Sequence, residues 1–369
     1  MKQFPVIFVA ALAVLTFPAF AADKPVVKIG VTAPLTGDNA HLGDGLKNGM
    51  SMAKEDLRAD TKYDYQLVFE DDGMEAKRTA ATTGKLINVD KVDAIMSISS
   101  GTGGVVSPIA ESSKVIHFGL ASAQSVADGD YNFIHWTPPS EEVRTLVSTL
   151  EKKGIKTIAL LGLNQQGFMA IRDEILKQIE GKNIKVTSDQ IINPGEKDFR
   201  TAIAKAKADN PDLYVVTFFS PEIEIVTKQM REAGIKDNIT SIEAFGLSSE
   251  PALFNGMWYV DAAIAESDFN EKFTAKYSKA PTFGTPNSYD VFNMLVNAYE
   301  AAGTDSNVKP SHEDVVKKLH EIKDYDGVLG SLTVDEKGVV LSPAAVIVMK
   351  DGKPVSENAP EAVEPAAAQ

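Results

Sequence analysis

The 369-residue sequence contains no cysteine. That absence excludes disulfides, thiol catalysis, cysteine-ligated metals and a lipid-modified cysteine at an export cleavage site. Histidine is scarce as well. The five are His41, His117, His135, His312 and His320, and with none in a paired metal-ligand spacing they read as surface or core residues. Positive charge is in deficit: 37 lysines and arginines face 51 aspartates and glutamates, a formal net charge of −14 at pH 7. Such a balance argues against nucleic acid and anionic lipid as partners. Catalytic signatures are missing too. There is no Gly-x-Ser-x-Gly elbow, and Gly101-Thr102-Gly103-Gly104 lacks the lysine of a phosphate loop. Gly37, Gly43 and Gly45 are spaced too widely for a dinucleotide fingerprint. Glu70-Asp71-Asp72 offers carboxylates to a cation, but capping of the following helix explains it more simply. The expectation is therefore no enzyme, no catalytic residue, no metal and no cofactor.

Long apolar runs are also lacking, except at the start. Lys2 precedes an apolar stretch from Phe4 to about Phe20, which closes on Ala19-Phe20-Ala21. It is shorter than the roughly 20 residues a spanning helix needs, and Pro5 and Pro18 lie within it. A cleaved signal peptide over residues 1–22 is expected, with a mature chain starting at Ala22 or Asp23 and a periplasmic destination. Loss of Lys2 makes the mature chain more acidic still.

What remains, about 350 residues, is too long for one ordinary core, so two lobes are expected. Short β-rich runs occur at 26–32, 65–70, 92–98 and 115–120, and again at 157–163, 184–192, 213–219 and 258–264. Helical spacing lies between them. Leu46, Met50, Ala53 and Leu57 share one face, as do Phe168, Ile171, Ile175 and Ile179, and Ile223, Val226, Met230 and Ala233. Phe269, Phe273 and Tyr277 repeat the pattern, and so do Tyr289, Phe292, Val296 and Tyr299. These stripes read as core packing. Alternating strands and helices define the fold class as α/β, with mostly parallel, doubly wound sheets. Thr137-Pro138-Pro139-Ser140 interrupts the first series as an interlobe linker would. Residues 356–369, rich in Pro, Ala and Glu without periodicity, read as a disordered tail.

In a parallel sheet, ligands collect at the carboxyl ends of strands, where helix N-termini favour anions. Ser99 and Ser100 close the third strand with Thr102 beyond, and Ala121-Ser122-Ala123 closes the fourth. Small hydroxyl residues there suit a carboxylate, while ordinary turn serines remain the alternative.

Further motifs extend the pattern. Ile29-Gly30-Val31, Pro34-Leu35-Thr36-Gly37, Gly43, Gly49 and Asp71-Asp72 come first. Gly195-Glu196-Lys197-Asp198-Phe199 precedes Pro221-Glu222, Ala233-Gly234 and Glu243. Gly330-Ser331-Leu332-Thr333 and Asp335-Glu336-Lys337-Gly338 lie near the end. In this order the chain resembles the leucine/isoleucine/valine-binding proteins, the periplasmic substrate-binding components of branched-chain amino acid ABC transporters. The resemblance implies a type I periplasmic binding fold: two doubly wound α/β lobes joined by three crossovers, with the ligand between them. The crossovers fall near 138–140, 263–265 and 346–349. Lobe 1 would comprise 23–139 and 264–347, lobe 2 140–263 and 348–355.

The resemblance also assigns roles. Ser100 matches the serine that holds the ligand carboxylate, and Ala121 a carbonyl that accepts from the ligand ammonium. Ser122 and Ala123 match the segment that usually carries a hydroxyl residue. Glu243 matches the acid that pairs with the ammonium, and Phe219 an aromatic that covers the ligand. Leu42 and Gln166 stand where branched-chain binders commonly present tyrosines, so the part that reads the side chain is altered; Gln166 reads equally well as a loop residue. Implied partners are a small-molecule ligand, an amino acid first, and the membrane permease of an ABC transporter, with the chain a monomer. Alternatives are a non-amino-acid carboxylate or amide as ligand, a soluble ligand-sensing co-receptor, and an enzyme on a doubly wound fold.

Overall fold

The computed structural model describes residues 24–263 and 267–357. The expected leader lies outside them. Strands and helices alternate through the first half: β1 (Val26–Ala33), α1 (Ala40–Glu55), β2 (Asp64–Asp71), α2 (Ala76–Lys85), β3 (Ala94–Ile98), α3 (Ser100–Ser113), β4 (Ile116–Leu120) and β5 (Asn132–Ile134). The second series is α4 (Pro139–Lys152), β6 (Thr157–Leu163), α5 (Gln166–Gln178), β7 (Lys185–Ile192), α6 (Arg200–Lys207), β8 (Leu213–Thr217), α7 (Glu222–Glu232), β9 (Ile239–Thr240) and β10 (Trp258–Ala262). The last elements are α8 (Ser267–Tyr277), α9 (Thr285–Ala302), α10 (His312–His320), β11 (Tyr325–Gly327), β12 (Gly330–Val334), β13 (Val340–Leu341), β14 (Ala344–Lys350) and β15 (Lys353–Ser356).

Two parallel sheets carry the two lobes, in the orders β2-β1-β3-β4-β5 and β7-β6-β8-β9. In both, the first strand of the series sits inside and the chain reverses direction across the sheet beside it. Such reversal points open a crevice at the strands' carboxyl ends. β3 and β4 are buried at every position, which is why they read as continuous apolar runs rather than alternating ones. In the first lobe α1 lies against α9. Gly49 permits that approach, because a Cβ there would overlap the Ser288 hydroxyl oxygen and the Thr285 carbonyl.

Several expectations need correction. The N-cap of α2 is Glu75, and no side chain caps it. Asp71 instead accepts from the Leu35 and Gly73 N–H groups, the Thr36 hydroxyl and Arg78, and so ties the turn after β1 to the turn after β2. The third crossover comes earlier than 346–349. Those residues lie inside β14, paired with β10, whereas Ser342 and Pro343 make the crossing contacts. Thr137 and Ser342 share a hydroxyl–hydroxyl bond of 2.9 Å, and the Ala263 N–H donates to the Pro343 carbonyl at 2.9 Å. All three passages are thereby bonded side by side. The middle one, expected at 263–265, lies partly outside the described residues. Of the expected tail 356–369, Ser356 pairs with Ile347 in β15 and the Glu357 N–H donates to the Val346 carbonyl, while the rest lies outside the described residues.

One buried polar chain fixes the first sheet. On adjacent strands, the His117 ring joins Ser97 Oγ at 2.8 Å and Asn132 Oδ1 at 2.9 Å, with all three side chains buried. Full burial pulls the His117 pKa down to about 4 from 6.5, so the ring is neutral in the folded protein. Below pH 6.5 the unfolded chain takes up a proton that the folded chain refuses until about pH 4. Stability should therefore fall as the pH drops through this window, by up to about 3 kcal/mol from this group. Urea denaturation of wild type and His117→Gln between pH 4 and 7 should show the wild type losing more on acidification.

Candidate ligand-binding site

The cleft between the lobes holds a cavity that opens to solvent, with about 370 Å³ of empty space when its open mouth is included. Among its lining residues are six of those expected: Leu42, Ser100, Ala121, Ser122, Phe219 and Glu243. Each sits at or near the end of an element. Ser100 opens α3 directly after β3, Ala121 and Ser122 come just after β4, Phe219 just after β8, and Glu243 just after β9. Leu42 lies in the first turn of α1.

Two helix N-termini face each other here. Ser99 caps α3, its hydroxyl oxygen accepting from the Thr102 N–H at 3.3 Å. The N–H groups of Ser100 and Gly101 precede the first intrahelical bond and suit an anion. Across the cleft, Gln165 caps α5, with its Oε1 accepting from the Gly167 and Phe168 N–H groups at 2.8 and 3.4 Å. The lobes approach closely at this point: a Cβ on Gly167 would lie 2.7 Å from Ser100 Oγ.

Glu243 is only 4% exposed and is held from the opposite lobe. The Ser122 hydroxyl and the Trp136 indole N–H both donate to its Oε1, each at 2.5 Å. Its backbone is in the left-handed region at φ 61°, where a side chain is disfavoured; Ser99 is likewise at φ 78°. One strained residue thus flanks the cleft from each lobe, a pattern typical of functional positions. Burial pushes the Glu243 carboxyl up to about 7, against the opposing pull of the Ser122 and Trp136 donors.

Two expected residues are placed differently. Ala123 does not line the cavity; its N–H donates to Ser100 Oγ at 3.0 Å and so orients that hydroxyl. Gln166 is also outside the lining, its amide reaching across to the Ser125 hydroxyl at 2.7 Å, while its neighbour Gln165 faces the cavity. Other lining residues escaped the sequence reading: Met74, Trp136, Phe168 and Phe283. The Trp136 and Phe283 rings pack at 4.5 Å, and Phe168 and Phe219 at 4.9 Å, so an aromatic pair stands on each side. His41, unremarkable in the sequence, meets the Leu247 carbonyl of the other lobe through its ring at 3.0 Å. Only the position of Trp136 beside the Pro-Pro interruption gave any hint.

The arrangement provides anion-favouring helix ends, a buried acid and apolar walls in one crevice between two hinged bodies. The periplasmic binding protein family model matches residues 26–353, and the chain belongs to that family. Its fold and cleft are those of an extracytoplasmic solute-binding protein. It is 26% identical over 345 residues to the leucine-, isoleucine-, valine-, threonine- and alanine-binding protein of Pseudomonas aeruginosa, covering 89% of this chain and 91% of that one. The crystal structure of the leucine-binding protein LivK from Thermotoga maritima superposes with a TM-score of 0.82 at 22% identity, covering 90% of this chain and 98% of that one. A solute-binding protein of an R. palustris ABC transporter, solved with benzoate, gives 0.81 at 17% identity, covering 92% and 98%. These two structures share the fold with this chain.

Gly167→Ala should hinder closure far more than it disturbs its own lobe. The added methyl would lie 2.7 Å from Ser100 Oγ only when the lobes are together, and its nearest contact within its own lobe is the side-chain oxygen of Gln165, at 3.1 Å. With no native cysteine, one introduced on each lobe can carry a dye pair. Energy transfer should report a wider cleft in Gly167→Ala than in the parent, with melting shifted by less than about 0.5 kcal/mol equivalent.

Proposed function

We propose that the protein captures an α-amino acid with an apolar side chain in the periplasm and delivers it to the membrane permease of an ABC transporter. The observation that carries this reading is the buried Glu243 carboxyl in the cleft wall. The donors from lobe 1, Ser122 and Trp136, both go to its Oε1, so its Oε2 keeps a lone pair for a ligand donor. Ser100 and the first N–H groups of α3 would bind the carboxylate, and the Ala121 carbonyl with Glu243 would bind the ammonium. Charge-assisted bonds at both ends of a dry cleft discriminate strongly against ligands that lack either group. Leu42, Met74, Phe219 and Phe283 would contact the side chain, in keeping with the apolar amino acids in the name of the Pseudomonas aeruginosa relative. On this reading the chain acts by binding, the property its relatives are named for, rather than by turnover. Fractionation should recover it from the periplasm with Ala22 or Asp23 first.

A plain aromatic carboxylate is the second reading, favoured by the two aromatic pairs and by the benzoate complex of the R. palustris protein. Glu243 separates the two, since a buried acid gains nothing from a ligand without a cation. Glu243→Gln keeps the shape and removes the charge. It should lower amino-acid affinity at least a hundredfold, about 2.7 kcal/mol by calorimetry, and Ser100→Ala should cost about 1.5–3 kcal/mol. Normal binding by Glu243→Gln would sink the amino-acid reading.

pH offers a second check. An ammonium needs the ionised acid, and Glu243 holds its proton below about pH 7. Affinity should be flat above that value and fall about tenfold per unit below it, with one proton released on binding.

A further inference from the structure

Glu142, in the first turn of α4, is fully buried, and neither of its carboxyl oxygens has a hydrogen-bond donor among the described residues. An ionised carboxylate so placed would forfeit several kcal/mol of solvation. Its neighbours make ionisation harder still. The carboxyls of Glu243 and of Asp261 on β10 oppose it by charge repulsion, while the Trp136 indole N–H, which would favour it, already donates to Glu243. Asp261 is itself buried, with the Ala262 N–H donating to it at 2.8 Å, and beside it on the same strand stands the buried Tyr259 hydroxyl. Three acids therefore meet behind the cleft wall with no cation among the groups acting on Glu142. Carboxyls in this relation cannot all be charged, and the usual resolution is for one to keep its proton and donate it to another.

We propose that Glu142 is a neutral carboxylic acid in the folded protein and that its O–H donates to Glu243, holding that side chain in the orientation it presents to the cleft. The lack of donors to Glu142 is then explained, because a proton turns one of its oxygens from acceptor to donor. Glu243 thus takes donors from Ser122, Trp136 and Glu142. It is the only acid of the three in the cavity lining, and so the one left to ionise against a ligand. Glu142 does not line the cavity and acts through Glu243, as a positioning residue. The proton stays on Glu142 whether or not the cleft is occupied.

The effect on affinity rests on the amino-acid reading; the protonation state does not. Infrared difference spectra of ligand-free protein at pH 8 test the latter. Wild type minus Glu142→Gln should show the carbonyl band of a protonated carboxylic acid, and an ionised-carboxylate band in its place overturns the proposal. In calorimetry, Glu142→Gln should bind within about twofold of wild type, because an amide donates as the neutral acid does. Glu142→Leu removes the donor, so affinity at pH 7 should fall about tenfold and the acid limb of the affinity–pH curve should move up by about one unit. A Glu142→Gln variant with more than tenfold weaker binding, or a Glu142→Leu variant with an unmoved curve, also overturns it. Should wild type bind no amine-bearing ligand, the functional reading fails instead, and the infrared result still decides the state of Glu142.

Discussion

A carboxyl group buried between two separable bodies sets the terms for this structure. Glu243 belongs to one lobe by chain position, yet its donors Ser122 and Trp136 belong to the other. Each lobe alone leaves polar groups unsatisfied, and only their approach pairs them. An unmatched buried acid is costly, whereas a matched one tolerates burial, so the same group opposes closure on an empty cleft and favours closure on a cation. Further bonds between the lobes, His41 to the Leu247 carbonyl and Gln166 to Ser125, engage no carboxylate.

Backbone strain lies where these demands concentrate. Ser99 and Glu243 both have positive φ, and both stand where the chain leaves a strand and turns at the cleft. Neighbouring bonds pin the Glu243 conformation: its N–H donates to the Val260 carbonyl at 2.9 Å, and its own carbonyl accepts from the Gly246 N–H at 2.9 Å. Strain of about 1–3 kcal/mol at such a residue persists because the surrounding bonds leave no alternative.

Most of the architecture was legible in the sequence because it rests on periodicity. Continuous apolar runs such as those of β3 and β4 mark strands buried on both faces, and the stripe from Phe168 to Ile175 marks a helix laid on a sheet. Short elements left little trace: β5 has three residues and β9 two, too few to show a period. In the cleft, Ser100 and Glu243 could be located because hydroxyl and acid residues at strand ends are conspicuous and matched a family pattern. Trp136, Phe168 and Phe283 could not, since an aromatic in a cleft and one in a core look alike until the lobes are assembled. Gln165 and Gln166 show a limit of another kind. Adjacent residues at a helix start point in different directions, and only the cap geometry decides which faces inward. The third crossover falls away from its expected place for a related reason, since nothing in an apolar stretch such as 344–350 says which sheet it will join.

The bonds that tie Thr137, Ser342, Pro343 and Ala263 have a mechanical meaning. Three separate linkers could bend, slide and twist independently, and the lobes would then wander through many relative positions. Laced together, they behave as one band whose easiest deformation is a bend about a single line. Opening then resembles the swing of a book rather than the drift of two beads on a string. The distance between the outer edges becomes a readable gauge of whether the inner surfaces have met.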